Sequence, residues 1–319
     1  MKKFSLLLFL IPLITFPQDF TKVDNVTRAA YKKVTTIDAL AERINNDFET
    51  DIEKVRSVFT WLTFNVSYRL HYSKTLEAPE FFVYLNDEDL EKVLIAKEEK
   101  KITDAFYNRQ AVCEGYSLLF KRICDLLKIE NEMVFGYTKA SGDYVGVIPK
   151  GKNHVWNAVK VNNKWMMIDA TYGAGYISKN IWIKKFNDTF FDAKKKVLNG
   201  THYPGDPKWR RFLGQKELRE FCQDPVVKSA YFKHNLDVLE PKQGVIDLKN
   251  KSHLKFKIKG LKHMQSLLYV YGKEGMIRTP KVSGKKGYRD YYFKKPKEDT
   301  TLHIYIDNEL ALEYIVKVE

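Results

Sequence analysis

Three side chains in this sequence have the types and the order that thiol chemistry needs. They are Cys113 in 111-AVCEGYSLLF-120, His154 in 154-HVWNAVKV-161 and Asp169 in 164-KWMMIDATY-172. A thiol is a poor nucleophile until a neighbouring base takes its proton, and an imidazole is the usual base. The imidazole needs its second nitrogen held by a carboxylate or amide, which fixes its tautomer and steadies its positive charge. Taken singly, each residue has a plainer use. A cysteine near a helix start packs as a small apolar side chain, a strand histidine is often structural, and Asp169 alone could begin a turn. The chemistry depends on whether the fold brings the three together.

The elements that would position them are legible. Leu118, Leu119, Ile123, Leu126 and Leu127 recur at three and four residues, which predicts an amphipathic helix over 114–128. Cys113 sits at its first turn, where unpaired N–H groups favour a thiolate. The stretch 131-NEMVFGYT-138 reads as a strand, and two more follow over 154–161 and 164–172, joined at Asn162-Asn163. If that dipeptide is a two-residue turn, Val161 faces Lys164 and Trp156 faces Asp169. Alternation then puts His154, Trp156 and Asp169 on one face, with His154 and Asp169 diagonal neighbours roughly 7–8 Å apart at Cα. A three-residue loop would put them on opposite faces. Trp156 beside His154 either shields the pair from water or belongs to the core. Trp156, Tyr116 and Gln110 are the candidates for substrate contact. Gln110, Asn65 and Tyr68 are candidates for a second oxyanion donor beside the Cys113 N–H.

Elsewhere, residues 20–50 read as an irregular lead. Thr50-Asp51 then opens a helix with Ile52, Val55, Val58, Phe59 and Leu62 on one face, ending near Phe64. A short strand over 65–70 and an aromatic-rich loop over 71–86 follow. A second helix runs from Asp87 to Lys101, with Leu90, Val93, Leu94 and Ala96 expected inward. Residues 181–240 are mixed, with a helical part near 215–222. From Pro241, alternating runs at 253–258, 266–272, 288–293, 301–306 and 312–318 predict a small β-sandwich. Lys2 and Lys3 followed by an apolar run from Phe4 to Phe16 have the form of a signal peptide over 1–18. The expected layout is therefore a leader over 1–18, a core over 19–240 and a β module over 241–319. It belongs to a secreted or periplasmic protein of a bacterial envelope, with no span in the mature chain.

A net charge of +14 suits an anionic surface polymer as a partner, or simply a solvated lysine face. No zinc-finger spacing or RNA-binding aromatic signature is present, so no nucleic acid is expected. The three cysteines, Cys113, Cys124 and Cys222, have no metal-ligand spacing and make no dense disulfide framework. At most one disulfide forms and one thiol stays free. No metal or cofactor is called for.

NRQAVCEGYSLLFKRICDLLKI followed by NHVWNAVKVNNKWMMIDATYGAGY resembles the transglutaminase-like papain-fold superfamily over about residues 50–185. The segment 199-NGTHYPGDPKW-209 is similar to the His-aromatic-Pro stretch of its kyphoscoliosis-peptidase and cytokinesis-protein branch. The resemblance implies an α+β papain-like core, a helix packed on an antiparallel sheet. It also implies Cys113 as nucleophile, His154 as base and acid, and Asp169 as orienting carboxylate. Tyr172 stands where many relatives carry Trp, and His202 is read as structural. Attack on an amide would give a thioester, resolved by water in a peptidase or deamidase, or by a lysine in a transglutaminase. The triad is the same in all three, and bacterial relatives lean toward a peptidase-like hydrolysis of protein or peptide substrates. The competing reading is a catalytically silent module that binds a cell-envelope or protein partner.

Overall fold

Asn162 and Asn163 both adopt left-handed backbone, with φ of 50° and 60°, as a two-residue hairpin turn requires. In this computed structural model Val161 therefore pairs with Lys164, and the register continues to Asn157 opposite Ile168. The pairing ends there, one step short of the Trp156–Asp169 pair that the turn predicts. The structure describes residues 19–31, 33–70, 86–178, 180–262, 265–284 and 288–318. The signal-peptide segment and most of the aromatic loop expected after residue 70 lie outside the described residues.

The chain opens with α1 (Thr21–Ala30), α2 (Ile37–Asp47) and α3 (Asp51–Asn65), then the two-residue strand β1 (Ser67–Tyr68). Next come α4 (Asp87–Tyr107), β2 (Gln110–Ala111) and α5 (Cys113–Leu126). Strands β3 (Asn131–Thr138), β4 (His154–Val161) and β5 (Lys164–Ile168) follow, then α6 (Ala170–Ala174) and the hairpin β6 (Gly175–Ser178) and β7 (Ile181–Lys184). The core closes with α7 (Lys195–Thr201), β8 (His202–Pro204), α8 (Pro207–Leu213) and α9 (Leu218–Gln223).

Three expectations change. Residues 20–50 are two helices rather than an irregular lead. Thr36 caps α2 by accepting from Ala39 N, and Leu40, Ala41 and Ile44 are buried at helical spacing. Helix α4 runs on to Tyr107, and its buried residues are Ile102, Ala105 and Phe106. Leu94 is 52% exposed and Ala96 lies on the surface, because only the second half of α4 packs into the core. Strand β5 stops at Ile168, since Asp169 leaves the sheet to cap α6 through its bond from Tyr172 N.

The core sheet has the order β5-β4-β3-β8 and is antiparallel throughout. Its two faces are covered by different layers. On one face Val159, Val161 and Ile168 meet Leu119, Phe120 and Ile123 of α5, backed by α3 and α4. On the other, Val134, Trp156, Ala158 and Met167 meet Leu198, Trp209 and Leu213 from α7 and α8. Strand β4 is buried on both sides, which is why its sequence is close to a continuous apolar run.

The C-terminal module is a sandwich of two sheets. One orders Asp237–Glu240, His253–Lys259, Arg289–Lys294 and Lys281–Ser283. The other orders Val245–Asp247, Glu309–Lys317, Thr300–Ile306, Leu267–Tyr271 and Ile277–Arg278. Inward residues such as Leu254, Phe256, Ile304 and Tyr314 form one core. Ala230, Leu236 and Val238 join it, and Val226–Val227 pairs with Glu309–Lys317, so the module draws on residues before 240. No helix among the described residues is long and apolar enough to cross a membrane.

At the centre of the sheet Gly136 pairs with His154 on β4 and with Pro204 on β8. A Cβ there would lie 2.3 Å from the Tyr203 carbonyl oxygen and 2.7 Å from the Trp156 indole. Both neighbours are fixed, so a methyl group has nowhere to go. Gly136→Ala is expected to destabilise the protein by about 1–3 kcal/mol. Chemical denaturation measures this, and an unchanged midpoint and slope would contradict the tight β3–β8 contact.

Candidate active site

Cys113 is the first residue of α5 and is partly exposed. Val112, the residue before it, is extended, and the first intrahelical bond runs from Tyr116 N to Val112 O. The N–H of Cys113 therefore has no partner within the helix. Gly115 lets α5 press close to β2 and α4, since a Cβ there would lie 2.9 Å from that of Ala111. All three thiols are free, and Cys124 and Cys222 are buried.

Helix α5 is fastened to β4 by a reciprocal pair of bonds. Ser117 Oγ donates to Val155 O at 3.1 Å, and Asn157 Nδ2 donates to Ser117 O at 3.1 Å. Val155 follows His154, and Ser117 lies one helical turn after Cys113. The lock therefore sets the distance between thiol and imidazole. His154 opens β4 at the end of the sheet, and its imidazole interacts with the Cys113 thiol. Its Nε2 lies 2.7 Å from Asp169 Oδ2, which leaves Nδ1 for the sulfur.

Asp169 is 1% exposed and His154 is 8% exposed. Oδ1 of Asp169 accepts from Tyr172 N at 2.9 Å. Oδ2 accepts twice, because His202 Nε2 lies 2.9 Å from the same atom. Burial opposes charge on His154, yet the Asp169 carboxylate and then the Cys113 thiol hold its pKa well above the usual imidazole range. Burial likewise opposes charge on Asp169, but His154 and then His202 keep it well below the usual carboxylate range. Complete burial pushes His202 down, against the pull of Asp169. Trp156 stacks beside His154 at 6.0 Å, and the Tyr172 ring lies 5.0 Å away.

The structure thus brings Cys113, His154 and Asp169 together. Two expected substrate contacts are not realised. Trp156 is 1% exposed and packs as core against both imidazoles. Tyr116 is fully buried, its hydroxyl donating to Val66 O at 2.7 Å. Gln110 is exposed on β2 and stays accessible. Asn65 Nδ2 spends one of its two N–H groups on Trp61 O at 2.8 Å. Tyr68 interacts with Cys113 and Asp169. Burial, then those two groups, push its phenol up to about 12, so it keeps its proton.

His202, expected to be structural, is buried and bonded to Asp169, a contact the sequence does not announce. The chain from Asp169 to His202, 33 positions further on, runs through hairpin, turn and short helix. No register can be carried across such a segment. Ser117 and Asn157 carried a readable signal, polar side chains on the buried faces of a helix and a strand. His154, Asp169 and His202 also offer ligand atoms within 4.8 Å of one another. Asp169 Oδ2 stands between the two ring nitrogens at hydrogen-bond distance, so each contact carries a proton where an ion would need a lone pair.

Residues 38–170 match the family model described as the transglutaminase-like superfamily. The chain is similar to kyphoscoliosis peptidase of Homo sapiens, 24% identical over 234 residues, covering 72% of this chain and 32% of that protein. It is 25% identical over 252 residues to hillarin of Drosophila melanogaster, covering 73% and 28%. A solved structure described as a TGase aligns with a TM-score of 0.30 and 15% identity over 52% of this chain and 39% of that one. The chain spans about a third of the length of the curated relatives it matches. Residues 38–170, which hold the thiol, the imidazole and the carboxylate, are a domain of the transglutaminase-like superfamily.

Proposed function

We propose that this protein is a cysteine-dependent amide hydrolase that acts on peptide or protein substrates through a thioester on Cys113. One observation carries the reading. A single imidazole, His154, lies 2.7 Å from the buried Asp169 carboxylate, and Cys113 at the start of α5 is close enough to help hold its pKa up. His154 takes the thiol proton and the sulfur adds to the substrate carbonyl, whose oxygen becomes an oxyanion. The Cys113 N–H and the Tyr68 hydroxyl are the donors we assign to that oxygen. Collapse breaks the C–N bond, and His154 gives its proton to the departing amine. Water then attacks the thioester, passing one proton to His154 and on to the returning sulfur, and the acid leaves. Asp169 stays ionised throughout and holds His154 by Nε2.

Hydrolysis is favoured over transfer to an amine by the activity in the name of the human and mouse relatives, kyphoscoliosis peptidase. The reading also includes export, supported by Lys2, Lys3 and the apolar run after them. N-terminal sequencing of protein from cell fractions checks this. A new N-terminus near residue ~19 is expected, and recovery of an intact Met1 rejects it.

Iodoacetamide should label Cys113 at neutral pH far faster than the same thiol in denaturant. His154→Ala should slow the labelling on the order of 100-fold or more. A native rate no higher than the denatured one would reject the enzyme and favour a silent binding module. With casein as substrate, new α-amino groups should outnumber incorporated primary amine, and the reverse ratio points to transamidation.

Tyr68→Phe separates the oxyanion role from the thiol. It should cut acylation by p-nitrophenyl acetate about 100-fold or more while leaving iodoacetamide labelling near wild type, because alkylation forms no oxyanion. Equal effects on both reactions would remove Tyr68 from that role.

A further inference from the structure

His202 lies outside the matched segment, on a three-residue strand, and is completely buried. We propose that His202 is a positioning residue, holding Asp169 by donating to the same Oδ2 that serves His154. The proposal rests on the reading of Cys113 as the nucleophile, and it extends the thiol, imidazole and carboxylate to a fourth side chain.

Proton accounting fixes its state. Nε2 of His202 faces a carboxylate oxygen at 2.9 Å and must carry a hydrogen. Nδ1 lies 2.7 Å from Thr201 Oγ1, which is also 2.7 Å from Val197 O. The Thr201 hydroxyl has one proton and two acceptors within reach. A doubly protonated His202 would satisfy both, at the cost of a second buried cation with ring centroids 5.5 Å from His154. Complete burial disfavours that charge. His202 is therefore neutral and protonated on Nε2, with the one Thr201 proton shared between Nδ1 and Val197 O.

The shared acceptor has a mechanical consequence. Tyr172 N holds Oδ1 and two imidazoles hold Oδ2, so the carboxylate has no free rotation. Strand β8 is itself held, by pairing with β3 and by Gln215 Nε2 donating to His202 O at 2.6 Å. The rings of Trp156, Tyr172 and Phe190 enclose His202 at 4.8, 5.0 and 5.8 Å. The other titratable groups that meet this cluster are Cys113 and Tyr116 of α5, Tyr68 of β1 and Tyr172 of α6. Burial keeps the three phenols protonated.

The test uses the full chain with histidine labelled in 15N. NMR of the wild type should show His202 neutral, protonated on Nε2, and unchanged through the neutral range. A proton on Nδ1 instead, or a titration like that of a free imidazole, overturns the proposal without any mutation. His202→Phe keeps a ring and removes the donor. The carboxylate then becomes a stronger partner for His154, so loss of the His154 proton should move up by about one pH unit. Turnover of p-nitrophenyl acetate should fall on the order of 100-fold, with circular dichroism unchanged. His202→Gln returns an N–H donor at a similar reach and should restore most of both. Equal behaviour of the Gln and Phe variants, or a folded Phe variant with wild-type titration and turnover, would mean that His202 only fills space. If Cys113 of the wild type is inert, the enzyme reading fails, while the 15N measurements still decide whether His202 holds Asp169.

Discussion

An ionised carboxylate at the centre of a folded protein is the constraint on which the rest of this site depends. Asp169 is 1% exposed, and a buried charge without donors costs several kcal/mol. Three donors meet it, from the first turn of α6, from β4 and from β8. Each comes from a different stretch of chain, so satisfying one charge ties three segments to a common point. The same arrangement makes His154 useful. Its Nε2 is committed, its positive form is stabilised, and only Nδ1 remains to exchange a proton with sulfur.

The sheet had to be built around that point. His154 and His202 sit on strands separated by β3, about 10 Å apart across two strand spacings, yet their ring centroids are 5.5 Å apart. Both side chains lean toward Asp169 Oδ2, which lies 2.7 and 2.9 Å from their Nε2 atoms, and Gly136, paired with His154 and Pro204, leaves room for the Trp156 indole beside them. The Trp156 indole packs over Gly136 and closes the apolar side of the cluster. Cys113 arrives from the opposite layer. Helix α5 covers the face of Val159 and Val161, and its N-terminus reaches the end of the sheet where His154 begins β4. Thiol and imidazole meet across the end of the sheet, and the Ser117–Asn157 lock sets how far α5 can slide along it.

Much of this was legible and the remainder had physical reasons not to be. Asn162-Asn163 fixes its own turn type, so the register that aligns His154 with Asp169 could be counted by hand. Cys113 could be set at a helix start because the leucines after it keep helical period. The burial of Trp156 and Tyr116 could not be read, since an aromatic beside a site serves equally as wall or core until the covering layer is known. Leu94 and Ala96 follow the helical period as well as Ile102 does, yet α4 outruns the core at that end, and period alone does not say where packing stops. Helix α2 was readable and overlooked. Thr36 is a fair cap, and Leu40, Ala41 and Ile44 keep the period. His202 is different in kind, because its place comes from tertiary structure alone.

The β-sandwich bears on the site through one buried acid. Glu313 is 5% exposed, accepts from Gly142 N at 3.0 Å, and pairs with Lys228 at 3.0 Å. Gly142 lies in the loop that leaves β3 after Thr138, the residue paired with His202. In the same loop the buried Lys139 donates to the carbonyls of Phe221, Asp224 and Pro225, fastening it to the end of α9. The short strand β8 has only three residues to pair, too few to hold a histidine in place alone. What steadies it is β3, and what steadies the exit of β3 is the sandwich and α9. The module that looks remote from the chemistry in sequence therefore braces the edge of the sheet on which the second imidazole stands.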